Sequence, residues 1–173
     1  MRSPPGADVI SPHTYGMLGL VGDAATVASE ALVGTGWTTP TISTTNRDNI
    51  WAALASEALN PGKLGIDVSN VLVLDGPDHW VRSMTIDAMG KSVQDHIYIN
   101  EHKGEFVYRL VDPDTSLETD DERVIAIKEN PLRMELFHRR ISNGHRLFWE
   151  APIHSVQLLT QKLAEYASNL KGQ

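Results

Sequence analysis

Residues 79–100 read HWVRSMTIDAMGKSVQDHIYIN. Two alternating runs, HWVRSMTID and SVQDHIYIN, flank a short AMGK turn. Successive side chains of a strand point to opposite faces. Trp80, Arg82, Met84 and Ile86 therefore share one face of the first run, and Val93, Asp95, Ile97 and Ile99 share one face of the second. Each face is apolar except for one charge, Arg82 or Asp95. A charge buried without a partner is costly. The pattern thus expects Arg82 and Asp95, on neighbouring strands, to pair with each other or to line one cavity.

The same reading extends in both directions. Strands are expected at Val68–Leu74, His79–Asp87, Val93–Asn100, Glu105–Val111, Arg123–Lys128 and Leu132–Ile141. The links are Asp75-Gly76-Pro77-Asp78, Met89-Gly90, His102-Lys103-Gly104, an acidic loop over 112–121, and Glu129-Asn130-Pro131. Gly, Pro and Asn in short links are hairpin chemistry, so the six runs form an antiparallel meander. An irregular stretch, His145–Pro152, leads to a long helix from about Ile153 to Leu170. Val156, Leu159, Leu163, Tyr166, Ala167 and Leu170 give that helix one apolar face, and the concave side of the sheet is the surface to bury it.

Before the meander, Trp51, Leu54, Ala55, Ala58 and Leu59 recur at helical spacing. Thr45 with Asp48 three residues later reads as a capping box, and Asn60-Pro61-Gly62 stops the helix. Thr38–Thr44 reads as an edge strand interrupted by Pro40. Asp23–Val33 reads as a short helix ended by Gly34 and Gly36, and residues 1–22 as an extended or poorly ordered arm. The expected division is an extension over 1–37 and one α+β domain over 38–173. In it a curved antiparallel sheet wraps around the long C-terminal helix, with a ligand cavity between them.

Composition narrows the function. There is no Cys, which removes disulfides, thiolate metal sites and cysteine nucleophiles. The net charge of −7 argues against nucleic acid or an anionic membrane as partner. No apolar run is long enough to span a bilayer, and the N-terminus lacks the apolar core of a secretory signal, so the expected location is cytoplasmic. No HxH, HExxH, GxGxxG, GxxxxGK[ST] or GxSxG pattern occurs, and the acidic loop lacks the Gly and Glu positions of a calcium loop. Neither metal nor cofactor is expected.

Arg82 could stabilise an enolate or carboxylate and Asp95 could act as general base. Alternatively, the two form a structural ion pair. Tyr108, on the Phe106/Leu110 face, could reach a cavity with its hydroxyl. Asp95, Arg82 and Tyr108 are the catalytic candidates. Trp80, Met84, Ile97, Phe106, Phe137, Glu135 and His138 are the candidate ligand-binding residues. His138 shares a face with Met134 and Leu136, and Glu135 shares one with Phe137. His96 and Tyr98 lie opposite Asp95 and are expected to point outward. Arg139, Arg140, His138 and Arg146 form a small basic patch.

The residues also follow an order met elsewhere. It runs from Ile50-Trp51 with Leu54, Ala58 and Pro61 to Val71-Leu72-Val73, then Arg82, Gly90, Asp95 and Tyr108. It continues through Asn130-Pro131 before Arg133–Phe137 to the last helix. In this the chain, over roughly residues 40–170, resembles the AtaL-like group (the DUF1857 domain) within the START/Bet v 1-like, or SRPBCC, helix-grip superfamily. The resemblance implies a helix-grip fold with a strand before the first helix. It also implies binding of a hydrophobic small molecule, or chemistry upon it, of the kind found in secondary metabolism. Two functions follow: a cyclase or isomerase using acid–base help in an apolar cavity, or a non-catalytic carrier. A homodimer is a further expectation. An NTF2-like cone also sets helices before a sheet, but it ends on strands, and the final helix counts against it.

Overall fold

Hairpin follows hairpin from Val68 to Arg140, because each alternating run is closed by a turn rich in Gly, Pro, Asn or Asp. The computed structural model describes residues 31–34, 36–64, 67–87 and 90–170. In chain order the elements are β1 Ala31–Gly34, β2 Trp37–Thr38, α1 Arg47–Leu59, a 3-10 turn Pro61–Leu64, β3 Val68–Asp75, β4 Trp80–Ile86 and β5 Lys91–Asn100. They continue with β6 Glu105–Val111, β7 Glu118–Lys128, β8 Arg133–Arg140, β9 Arg146–Leu147, β10 Trp149–Pro152 and α2 Ile153–Ser168. The main sheet has the order β2-β8-β7-β6-β5-β4-β3, with β9 also on β8, and β1 pairs separately with β10. All pairs are antiparallel.

One face of the sheet holds the main core. Met84, Ile86, Val93, Ile97, Phe106, Tyr108, Leu110, Ile125, Ile127, Met134 and Leu136 pack there against Ile50, Ala53, Leu54 and Ala58 of α1 and Leu159, Leu163 and Ala167 of α2. Trp51 meets Phe106 edge-on, with ring centroids 4.5 Å apart. The two helices are tied together near their ends. Thr44 and Ser168 share a 2.7 Å hydroxyl contact, Thr45 Oγ1 donates to the Ala167 carbonyl, and Ser56 donates to the Tyr166 hydroxyl. This is the α+β helix grip that the sequence leads one to expect.

The opposite face is covered in part as well. Val107, Val124, Ala126 and Phe137 form a second buried cluster. Long basic side chains roof it, with the Arg146 guanidinium 3.8 Å from the Phe137 ring centroid and that of Arg109 4.3 Å from Tyr98. At the β5–β6 turn Gly104 has φ +70, and a Cβ there would lie 3.2 Å from the Ile127 carbonyl, so the position favours glycine.

Several expectations are corrected. Asn46, not Thr45, caps α1: its side chain accepts from the Asn49 N–H, because Thr45 is spent on α2. The edge strand expected over Thr38–Thr44 is only Trp37–Thr38. Beyond Thr38 the chain stays beside β8 through single contacts, Thr39 N–H to the Met134 carbonyl and, past Pro40, Ile42 N–H to the carbonyl of Leu132 just ahead of β8. The acidic loop ends early, since Glu118–Asp121 already belong to β7, where Arg109 and Arg140 neutralise their charge. The irregular stretch before the last helix contains β9 and β10, and α2 ends at Ser168 rather than Leu170. Ala31–Val33, read as the end of a helix, are strand paired with β10. The rest of that helix and the 1–22 arm lie outside the described residues.

Leu163 is fully buried between α2 and the sheet. Leu163→Asp should abolish cooperative unfolding in a circular-dichroism melt, at a cost of several kcal/mol from lost burial and an unpaired charge. An unchanged melting temperature would contradict the grip described above.

Candidate functional site

Register places Arg82 directly opposite Asp95. The contact is bidentate: Arg82 Nε donates to Asp95 Oδ1 at 3.0 Å and NH2 to Oδ2 at 2.6 Å. The two side chains are only 2% and 1% exposed. A third donor, NH1, reaches the Ala58 carbonyl at 3.1 Å. Ala58 stands in the last turn of α1, whose terminal carbonyls lack helical partners and carry the negative end of the helix dipole. Arg82 therefore joins two strands and caps a helix. Asp95, whose two oxygens both face the guanidinium, is placed to hold Arg82.

The next cross-strand row gathers most of the other candidates. Trp80 of β4 pairs with Ile97 of β5, Ile97 with Tyr108 of β6, Tyr108 with Arg123 of β7, and Arg123 with His138 of β8. Tyr108 donates its hydroxyl to Glu57 Oε2 of α1 at 2.9 Å. Guanidiniums flank its ring, that of Arg123 at 4.2 Å and that of Arg82 at 5.4 Å. Burial pushes the Tyr108 hydroxyl well above the usual tyrosine range. The Glu57 carboxylate adds to the rise, and Arg123 and Arg82 oppose it. At neutral pH Tyr108 is thus a proton donor and not a base.

Glu57 and Arg123 are the residues that the sequence reading passed over. Glu57 is 1% exposed and falls on the stripe Ile50, Ala53, Leu54, Glu57, Ala58. Arg123 alternates with Ile125 and Ile127 on the inner face of β7. Both carry the mark that revealed Arg82, a charge at an apolar position. Met84 and Phe106 lie on the same inner face of the sheet.

Glu135 and Phe137 are not brought together with this group. Phe137 belongs to the cluster on the other face, and Glu135 binds Arg146 there through two bonds, at 2.7 and 3.1 Å. A strand buried on both faces gives alternation no polar side by which to orient it. Of the basic patch, Arg146 and Arg139 hold acidic partners on this face, and Arg140 lies 3.8 Å from both Asp120 and Asp121. His96 and Tyr98 do face outward, and both bind Glu118 Oε2. Arg109 links Glu118 to Glu122, and Arg139 extends the chain of charges to Glu105.

The inner cluster of charges is closed to solvent, with Arg82, Asp95, Glu57, Tyr108, Arg123 and His138 all buried. A groove of about 450 Å³ opens instead at the sheet edge, between residues 37–44 and α2. Among the described residues no group of three or more His, Cys, Asp or Glu could hold a metal ion. Among them, too, no helix is long and apolar enough to cross a membrane.

No family model and no curated protein matches the sequence. Solved structures do resemble the fold. The Zhui aromatase/cyclase from Streptomyces sp. R1128 superposes with a TM-score of 0.51 at 11% identity, over 80% of this chain and 94% of that one. The di-domain aromatase/cyclase StfQ of the steffimycin biosynthetic pathway gives 0.48 at 9% identity, and the di-domain aromatase/cyclase BexL gives 0.45 at 12%. The chain covers 50% and 52% of those two longer proteins. At such identities the likeness bears on the fold, and the argument rests on the first of the three. The chain has the helix-grip architecture of that structure.

Two measurements follow from this geometry. Asp95→Asn leaves the Arg82 guanidinium buried without its counter-charge, so denaturant unfolding should show a loss of roughly 3–5 kcal/mol. A loss below about 1 kcal/mol would mean that Asp95 does not hold Arg82. On the outer face, burial opposes ionisation of Glu118, but hydrogen bonds from Tyr98, His96 and Arg109 outweigh it and bring its carboxyl below the ordinary 4.5. A depressed acid stabilises the fold above its unfolded value and loses that contribution as pH falls through the folded one. Glu135, held by Arg146, shifts the same way, and Asp121, raised by burial, shifts the other. Glu118→Gln should therefore lower stability at neutral pH and flatten the fall as pH drops below the ordinary 4.5 in an unfolding series. A variant with the wild-type acid slope would show that Glu118 is not part of the linkage.

Proposed function

We propose that this protein is an enzyme of secondary metabolism, a cyclase or isomerase acting by acid–base chemistry on a hydrophobic small molecule held in the helix grip. One observation carries the reading: the buried Tyr108 hydroxyl donates to the Glu57 carboxylate while the Arg123 guanidinium lies against its ring, and burial keeps it protonated. Glu57 would draw a proton from a carbon activated by neighbouring carbonyls. Tyr108 and Arg123 would stabilise the oxygen that becomes negative. Arg82 and Asp95 then act through position, because their bond to the end of α1 sets where Glu57 meets Tyr108. Trp80, Met84, Ile97, Phe106 and His138 would line the space for the substrate. The shared fold of an aromatase/cyclase supports this choice of chemistry, and membership of the AtaL-like group is the finer form of the same reading. A cytoplasmic homodimer without nucleic acid or membrane partners completes it, with the net charge of −7 in support of the last point.

The second reading is a carrier without turnover. It is favoured by the closure of the Arg82–Asp95 pair, whose donors and acceptors are met within the protein.

Tyr108→Phe separates the two. With a short poly-β-ketone thioester as substrate, and cyclisation followed by the absorbance of the new ring, the variant should turn over about 100-fold to 10,000-fold more slowly than the wild type. Its affinity should be nearly unchanged. Wild-type protein that binds the thioester without converting it would establish the carrier.

A further inference from the structure

Strand β3 ends the main sheet, and among the described residues no strand pairs with its second edge. An unpaired edge invites another strand unless a charge, a proline or a bulge blunts it. In β3 these devices stand at the ends. The register against β4 shifts between Ser69 and Leu72, where Asn70 has φ +53, and Gly76-Pro77 follows the last residue of the strand. Between them the stretch 71–75 holds no Lys, Arg or Pro. Leu72 and Leu74 lie on its outer face, 56% and 55% exposed, while Val71 packs against the main core on the inner face.

The hydrogen-bond phase of β3 fixes what can pair there. Gly76 N–H donates to the His79 carbonyl at 2.8 Å, and Leu74 and Leu72 follow in register opposite Val81 and Ser83. Antiparallel strands exchange bonds at every second pair. Gly76, Leu74 and Leu72 therefore turn their backbone groups to β4, and Asp75 and Val73 turn theirs to the open edge. A second copy of the strand, related by a two-fold axis at Val73, fits this phase. Val73 would exchange backbone hydrogen bonds with the partner's Val73, and Asp75 would stand opposite the partner's Val71. Leu72 then faces the partner's Leu74 in the closer kind of cross-strand pair, so the exposed leucines of the two copies cover one another. Charge is compatible with the contact: Asp75, the one charge within 71–75, meets a valine, and the two carboxylates lie at opposite ends. Among the described residues the other end of the sheet offers no comparable edge, because β2 is only Trp37–Thr38 and β8 also carries β9. The contact is thus of like with like, and it closes on a pair instead of growing into a fibre. We propose that this protein dimerises edge to edge through β3, about Val73, into one continuous sheet across two copies. The inference rests on the proposed function only for its homodimer, to which it gives a surface.

So short a strand pair makes a small interface, and the dimer should be weak and dependent on concentration. Sedimentation equilibrium on the full chain should show monomer near about 1 µM passing to dimer by about 300 µM. Leu72→Lys with Leu74→Lys sets like charges opposite each other and should weaken association at least tenfold. Its melting temperature should change little, because both positions are exposed. Leu72→Lys with Leu74→Glu sets opposite charges together only in the register centred on Val73, and association should return. If the doubly cationic variant melts early, Leu72→Thr with Leu74→Thr, which keeps strand-forming residues, takes its place with the same expected loss. The proposal is overturned if the wild type stays monomeric throughout, if the cationic or threonine variant associates like the wild type, or if the Lys–Glu variant associates as weakly as the Lys–Lys one. Poly-β-ketone turnover and its loss in Tyr108→Phe are read separately and without substitutions in β3, so failure of the interface and failure of the enzymatic reading are told apart.

Discussion

The Arg82 guanidinium sets the geometry of this protein. One side chain gives two hydrogen bonds to Asp95 on the neighbouring strand and one to the Ala58 carbonyl at the end of α1. A cation so deeply buried is tolerable only when most of its donors are met, and the helix terminus supplies an acceptor that the neighbouring strand alone could not. The contact also determines how α1 lies over the sheet. Glu57, one residue before Ala58, is thereby brought to the Tyr108 hydroxyl. The polar interior is thus one connected structure: strand pair, helix end, carboxylate, phenol and second guanidinium.

The two faces of the sheet use charge differently. Inside, a few ionised groups sit among apolar side chains and meet in specific pairs. Outside, arginines lie flat over Phe137 and Tyr98, with glutamates between them. Among the described residues, that outer layer of side chains covers the buried Val107, Val124 and Ala126. The sheet can therefore be apolar on both sides at β6–β8 and still present a polar surface.

Much of this could be read in the sequence, and the failures have physical causes. The Arg82–Asp95 pair was legible because each charge broke an otherwise apolar alternation, and a hairpin sets such positions opposite each other. Glu57 and Arg123 broke the same kind of pattern. They are harder to see because the apolar residues alone trace the period of α1, and because Arg123 stands at the start of its run, where a charge reads as a boundary. The start of β7 was hidden by its four acidic residues, which look like loop until Arg109 and Arg140 arrive from other strands. The Asn46 cap was missed because Thr45 is the commoner partner of an acidic residue three positions on, and its true contact is with Ala167, 122 residues away. Phe137 looked inward because its strand is apolar on both sides. The groove left no trace, since its walls come from segments more than a hundred residues apart.

The tie between Thr44 and Ser168 spans 124 residues, while β3 to β8 join only near neighbours. The meander can therefore assemble by short loop closures, each of modest entropic cost. The β2 edge must wait for β8, and the helix pair for α2, both distant in sequence. During synthesis the stripe of α1 that ends at Ala58 emerges before the meander, yet α2, which completes its cover, is made after it. Until then α1 can rest only on the growing sheet, against Phe106 and Tyr108 and through the Arg82 bond to Ala58. That bond is the first long-range check that helix and sheet have met in the right place.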